Sequence, residues 1–203
     1  MTRFTFATGV YASGDWNSAS LLPAAVIDTL ARYTSLDLAP AGVDVRLDSV
    51  ELFEYPFVYL TGHLPVRFTV AERRNLGQFV SRGGFLFVDD HNHDVDGIFH
   101  QTMIEELTHL FGPLVTVPNS HPMYRVFFNF RDGPPTTSQE LNGWGDNLVH
   151  THLQGIVRGD RIDVLYSSKD YSSEWSMHPS AKRFMSVDVT KFGVNIILYA
   201  LTR

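Results

Sequence analysis

Cysteine is absent from all 203 residues. That excludes disulfides, a cysteine nucleophile and every thiolate metal site, and it leaves histidine and carboxylates as the side chains able to hold a metal. Basic residues are also scarce. Sixteen Lys and Arg stand against 22 Asp and Glu, a net charge of −6, and no cluster of the basic ones occurs, which argues against a nucleic-acid or anionic-membrane surface. No apolar run approaches transmembrane length, and Met1-Thr2-Arg3-Phe4 leads directly into a strand pattern without the apolar core of a signal peptide. The expectation is a cytoplasmic protein with no direct membrane insertion. Neither a P-loop nor a dinucleotide glycine signature is present, so no nucleotide cofactor is indicated, and no G-x-S-x-G elbow offers a serine nucleophile.

What is there suits one α/β domain over residues 1–203, with 44% hydrophobic and 19% charged residues and enough chain for a sizeable core. Phe4 to Tyr11 reads as the first strand. A helix follows from Ser18 to Tyr33, capped by Asn17 or Ser18, and Val43 to Leu47 is a further strand. Pro56 to Thr61 is an apolar run that breaks at Gly62-His63. Thr69-Val70-Ala71-Glu72 fits a capping box opening a helix to Ser81, and Gly83-Gly84 turns the chain into the strand Phe85-Leu86-Phe87-Val88. Asp96 is placed to cap a helix carrying the stripe Ile98, Phe99, Met103, Ile104, Leu107, Leu110 and Phe111. Leu114 to Val117 is a short strand, residues 131–146 form a long excursion able to cover a pocket, residues 153–166 form a hairpin, and a last helix runs from Val189 to Leu201.

The stretch Asp89-Asp90-His91-Asn92-His93-Asp94 concentrates the chemistry. A buried apolar strand ends there in six polar residues, and ligands gather at the carboxyl ends of parallel strands. His91 and His93 alternate, so in an extended segment both rings project to one side and can share a divalent cation. His63 ends a neighbouring strand about 5 Å away and is the candidate third ligand. Asp89 and Asp90 are the candidate catalytic carboxylates, and Tyr11, Asp15 and Trp16, after the first strand, are candidate substrate contacts. The blander reading makes the aspartates turn formers bonded to their own backbone and Asp15 a helix cap. His100 can face the same crevice, His109 complements a helix dipole, and His121 caps or turns the chain before Pro122. His150 and His152 read as a solvated strand face, and His178 has no evident partner.

Phe4-Thr5-Phe6, Tyr11, Gly14-Asp15-Trp16, Tyr59-Leu60-Thr61-Gly62-His63, Gly83 to Asp90, His121-Pro122-Met123-Tyr124 and Gly193 to Leu201 together resemble domain-of-unknown-function family 4159. Through it the chain resembles the class I glutamine amidotransferase-like, flavodoxin-like superfamily. The resemblance spans nearly the whole chain and implies a three-layer sandwich with a mostly parallel sheet. It does not carry amidotransferase chemistry across, because that chemistry needs the cysteine this sequence lacks. Members of the family are often fused to, or encoded near, larger membrane-associated proteins, which implies a protein partner.

Three expectations of function follow. In the first, His63, His91 and His93 hold zinc, manganese or iron and a carboxylate acts as general base in a metal-dependent hydrolase. In the second, the crevice is a noncatalytic small-molecule site. In the third, the excursion around Pro134-Pro135 and Trp144 docks another protein.

Overall fold

Two apolar runs become the centre of the sheet because both of their faces are covered. Phe57–Gly62 (β3) and Phe85–Asp90 (β4) are buried along their whole length, the pattern of parallel strands packed between helices. The computed structural model describes residues 3–176 and 187–203; His178 lies outside the described residues. The remaining strands are Ala7–Val10 (β1), Val43–Arg46 (β2), Val115–Thr116 (β5), Gln154–Arg158 (β6) and Arg161–Ser167 (β7), and the sheet order is β2-β1-β3-β4-β7-β6-β5. β2, β1, β3, β4 and β7 run parallel, while β6 and β5 are added antiparallel at one edge.

Side-chain alternation divides the core into two layers. Phe57, Tyr59, Phe85 and Phe87 point to the face covered by α1 (Leu22–Tyr33), α5 (Tyr171–Ser176) and α6 (Val187–Thr202). Val58, Leu60, Leu86 and Val88 point to the face covered by α2 (Val70–Ser81) and α3 (Ile98–Phe111). The result is a three-layer α/β sandwich. Aromatic pairs cross the strands on the first face, with Phe57 over Phe85 at 6.0 Å and Tyr59 against Phe87 at 5.6 Å between ring centres.

Several boundaries differ from the sequence reading, each for a local reason. α1 starts at Leu22, not Ser18, with Pro23 in its first turn and no side-chain cap at Leu21; the Ser18 hydroxyl is engaged by His91 instead. α3 starts after Gly97 without a side-chain cap, because the Asp94 carboxylate takes the Asp96 amide and forms a turn there. The Thr69–Glu72 capping box is present as expected. Residues 131–146 are not structureless: Thr137 and Glu140 form a second capping box that opens the short helix α4 (Ser138–Leu141), and α5 was not anticipated at all. The hairpin is β6–β7, turning at Gly159 with φ +63°.

β1 lies between β2 and β3, so the chain leaves it toward opposite edges of the sheet. The carboxyl ends of β1 and β3 therefore open into a crevice, the position where open parallel sheets bind ligands.

α6 is tied to the segment 122–128 that packs against it by one buried amide. Asn195 donates to the carbonyls of Met123 (3.0 Å) and Phe128 (2.8 Å) and accepts from the Phe128 amide (2.8 Å). We predict that Asn195→Ala, which strands these backbone groups, lowers stability by about 2–4 kcal/mol, read as a shifted urea midpoint; a change under about 0.5 kcal/mol contradicts this role.

Candidate functional site

Strand register decides which side chains meet. Thr61 pairs with Asp89 and Gly62 with Asp90, so the next residues, His63 and His91, emerge side by side. Their rings stack with centres 4.2 Å apart and planes 25° from parallel. Behind His63 stands Asp15, from the loop after β1. One Asp15 oxygen accepts the amides of His63 (2.8 Å) and Leu64 (2.9 Å), and the other meets His63 Nδ1 at 2.8 Å. Burial disfavours charge on Asp15, but these amide bonds and the His63 ring outweigh it and hold the carboxyl below its usual range. Gly62 makes the pair possible, since a Cβ there would run into Tyr11 Oη, Asp15 Oδ1 and the Phe99 ring.

With Nδ1 turned to Asp15, His63 presents Nε2 outward. It lines a cavity of about 520 Å³ together with His91, Asn92, His93, Ser138, Gln139, Asn142, Trp144, Asp170 and Ser173. His91 Nδ1 lies 3.1 Å from Ser18 Oγ and its Nε2 is 3.8 Å from Asp170 Oδ1. Burial, followed by the neighbouring His63, pushes its imidazole down to about 4, so it is neutral in the physiological range. A larger hollow of about 660 Å³ opens at the amino ends of the strands, among Phe4, Tyr55, Phe79 and Leu201. Among the described residues its lining contains no histidine, and its Asp37 carboxylate is paired with Arg3.

The two expected catalytic carboxylates are spent on structure. Asp89 is fully buried and accepts from Ser172 N (2.7 Å), Ser172 Oγ (2.6 Å) and Tyr171 N (3.2 Å), which fastens the start of α5 to β4. Asp90 accepts from Asn92 N at 2.9 Å and bends the chain after β4. Burial raises both, Asp89 to about 6 and Asp90 to about 7, with the Asn92 amide opposing the rise at Asp90 and the Asp89 charge adding to it. Neither lines the cavity. Asp170, which the sequence reading missed, does. It sits at φ +54°, a conformation aspartate tolerates better than most residues, caps Ser173 N at 3.0 Å, and is held well above the carboxylate range by burial and then by Asp89.

The three expected metal ligands separate into two groups. The Asp90 turn ends the extended backbone at once, and His93 adopts φ +50°, so the alternation that would align it with His91 is lost. His93 is buried, with Nδ1 2.5 Å from the Ser168 carbonyl oxygen and Nε2 3.0 Å from that of Leu148. It meets Asp146 (3.5 Å) and His150, whose Nε2 is 2.8 Å from Asp146. An ion shared by His63 and His91 would have to lie in the plane of each ring, which their face-to-face stack does not allow without splaying. Among the described residues, His93, Asp146 and His150 form the group with metal-ligand spacing, their ligand atoms lying within 4.8 Å of one another.

Of the other expected contacts, Tyr11 is buried and donates to the Thr61 carbonyl at 2.8 Å, and Trp16 packs at the edge of the α2–α3 core. Neither lines the cavity. Asp15 makes no side-chain cap on α1 and orients His63 instead. His100 bonds Tyr166 Oη (2.8 Å), His121 caps a 3-10 turn at Pro122–Arg125, and His109 lies in the last turn of α3. His150 is not on a strand face: residues 147–153 are irregular and its ring is half-buried against Asp146. The capping spacing Thr137-x-x-Glu140 was the one sequence signal pointing to an ordered cavity wall.

Because the folded chain raises the proton affinity of Asp90 from about 4 to about 7, the folded state binds more protons than the unfolded state across that interval, and stability falls as pH rises through it. We predict that Asp90→Asn, neutral throughout, flattens the pH dependence of thermal stability between about pH 4 and 7 and stabilises the protein at pH 8. An unchanged slope would remove the buried, proton-holding carboxyl from the account.

No helix among the described residues is long and apolar enough to cross a membrane. A comparison with curated proteins finds no match. The model of the family described as a domain of unknown function, DUF4159, matches residues 5–201, nearly the entire chain, and the protein therefore belongs to that family.

Proposed function

We propose that this domain binds a small neutral polar molecule in the carboxyl-edge cavity and hydrolyses it, with His63 as general base and Asp15 as its positioning residue. The observation that carries this reading is the Asp15–His63 contact beside the cavity, with Nδ1 committed and Nε2 free. An imidazole so fixed in one tautomer can take a proton from water held in the cavity, and a positioned base of this kind contributes about 10²–10⁴-fold to rate. Asp170 stands on the same wall, with its carboxyl raised well above its usual range by burial and then by the Asp89 charge, and is the matching acid. The lining supports the substrate class. Asn92, Gln139, Asn142, Ser138 and Ser173 offer neutral hydrogen-bonding groups, Trp144 offers an apolar face, and no Lys or Arg among the described lining residues favours an anion.

The fold reading is part of the same proposal. The run β2-β1-β3-β4-β7 has the flavodoxin-like order 2-1-3-4-5 when β7 is counted as the fifth strand. This supports placing the domain with the flavodoxin-like, class I amidotransferase-like sandwiches. The base then stands at the switch point between β1 and β3, where those folds bind ligands.

The test is a panel of neutral chromogenic esters, amides and glycosides, assayed alongside tryptophan fluorescence for binding at Trp144. The expected result is turnover of at least one class, reduced about 10²-fold or more by His63→Ala and by Asp15→Asn. Turnover that survives His63→Ala rejects the catalytic assignment, and saturable quenching without turnover makes the cavity a recognition site only.

A further inference from the structure

We propose that His93, Asp146 and His150 form a divalent-cation site, with zinc the best-fitting ion, which clamps the cavity's covering segment to the loop after β4. The site is separate from the His63 base, and its function is structural.

The argument starts from lone pairs. His93 Nδ1 is 2.5 Å from the Ser168 carbonyl oxygen, a contact that requires the ring proton on that nitrogen. In the neutral ring Nε2 is then an acceptor, yet it faces the Leu148 carbonyl oxygen at 3.0 Å and Asp146 Oδ1 at 3.5 Å, neither of which can donate. Three electron-rich atoms converge in a buried place, and a positive centre among them resolves the conflict. His150 completes the set from the other side, with Nε2 2.8 Å from Asp146 Oδ2. After accepting the amides of Leu148 (2.9 Å) and Val95 (3.2 Å), each Asp146 oxygen keeps a lone pair for a cation. Two imidazoles, one carboxylate and an available backbone carbonyl make a four-coordinate nitrogen–oxygen shell that suits zinc. The bond from His93 Nδ1–H to Ser168 supplies the outer support that orients a ligating histidine.

The placement explains what the ion would do. Trp144 and Asn142, which wall the cavity, precede Asp146 by a few residues and have their backbone held to the rest of the fold at two points. The Asp146 amide donates to the His93 carbonyl at 2.9 Å, and Gly145, at φ +59°, lies so close to that carbonyl that any Cβ would overlap it. A cation on His93, Asp146 and His150 locks the same two segments together through their side chains.

The experiment uses full-length protein stripped with chelator, dialysed and titrated with ZnCl2, with CoCl2 as a spectroscopic substitute. Expected are one equivalent of zinc retained, a raised melting temperature, and visible d–d absorption from cobalt. His150→Gln, at a partly exposed position, should weaken zinc affinity at least about tenfold, as should Asp146→Asn. His63→Ala should leave zinc binding unchanged while abolishing turnover, which separates this site from the proposed active centre. Absence of stoichiometric zinc with no shift in melting temperature overturns the proposal; equal affinity in His150→Gln and wild type overturns it also.

Discussion

The cavity exists because two opposite charges are buried together beneath it. Lys169 follows the end of β7 with no exposed atoms, and its Nζ donates to both oxygens of Glu140 (2.6 and 2.7 Å) and to the His150 carbonyl (2.6 Å). Desolvating such a pair costs several kcal/mol per ion, and only good geometry with further hydrogen bonds offsets it. Glu140 meets that condition. It also accepts the amides of Thr137 and His150, both at 2.7–2.8 Å. Burial weakens the hold of Lys169 on its proton, and Glu140 restores part of it. The consequence is that residues 137–150 cannot drift from the sheet without leaving an unpaired charge inside the protein, so a segment with little regular structure behaves as a fixed wall.

The same desolvation sets the character of the carboxylates at this edge. Asp89 and Asp90 close the apolar strand β4 and inherit its burial, which raises both. Parity sends them to opposite faces: Asp89 continues the row of Phe85 and Phe87 and meets α5, where two amides and a hydroxyl of the helix start require an acceptor. Asp15 differs because it sits in a loop, with two amides and an imidazole as donors, and hydrogen bonds there exceed the penalty of burial. Carboxylates at one edge of the sheet thus acquire opposite tendencies, Asp15 to give up its proton and Asp89 and Asp90 to keep theirs.

The parts of this arrangement that depend on short-range pattern were readable in the chain itself. The continuous apolar runs Phe85–Val88 and Pro56–Thr61, the Gly83-Gly84 turn and the Thr69–Glu72 box located the central strands and a helix, and the adjacency of two strands placed His63 beside His91. Asp15 was identified as a candidate substrate contact after the first strand. What failed were inferences that needed the backbone path after a strand. His93 was aligned with His91 on the premise of an extended segment, but Asp90 bends the chain and a positive φ at His93 turns its ring away. Asp170 and His150 went unrecognised because the groups that give them their setting are distant in sequence: Asp89 for the one, and His93 in the loop after β4 for the other. The excursion looked polar and aperiodic, and the feature that orders it, Glu140 on Lys169, joins positions 29 residues apart.

The division of labour between scaffold and cover bears on how such a domain can work without a cysteine. In the proposed reaction β3 places His63 and the loop after β1 brings Asp15 to it, so strand register and the lack of a side chain at Gly62 would set the orientation of the base. Segment 137–150 lines the cavity with Ser138, Gln139, Asn142 and Trp144, groups that in the same proposal would recognise a ligand without reacting. A nucleophile bonded to the protein is not needed if water can be held against a fixed imidazole, but water is a weak nucleophile and must be confined for the base to be effective. In the proposed hydrolysis the cover would provide that confinement, and the costly buried ion pair of Lys169 and Glu140 holds this otherwise irregular segment in place for it.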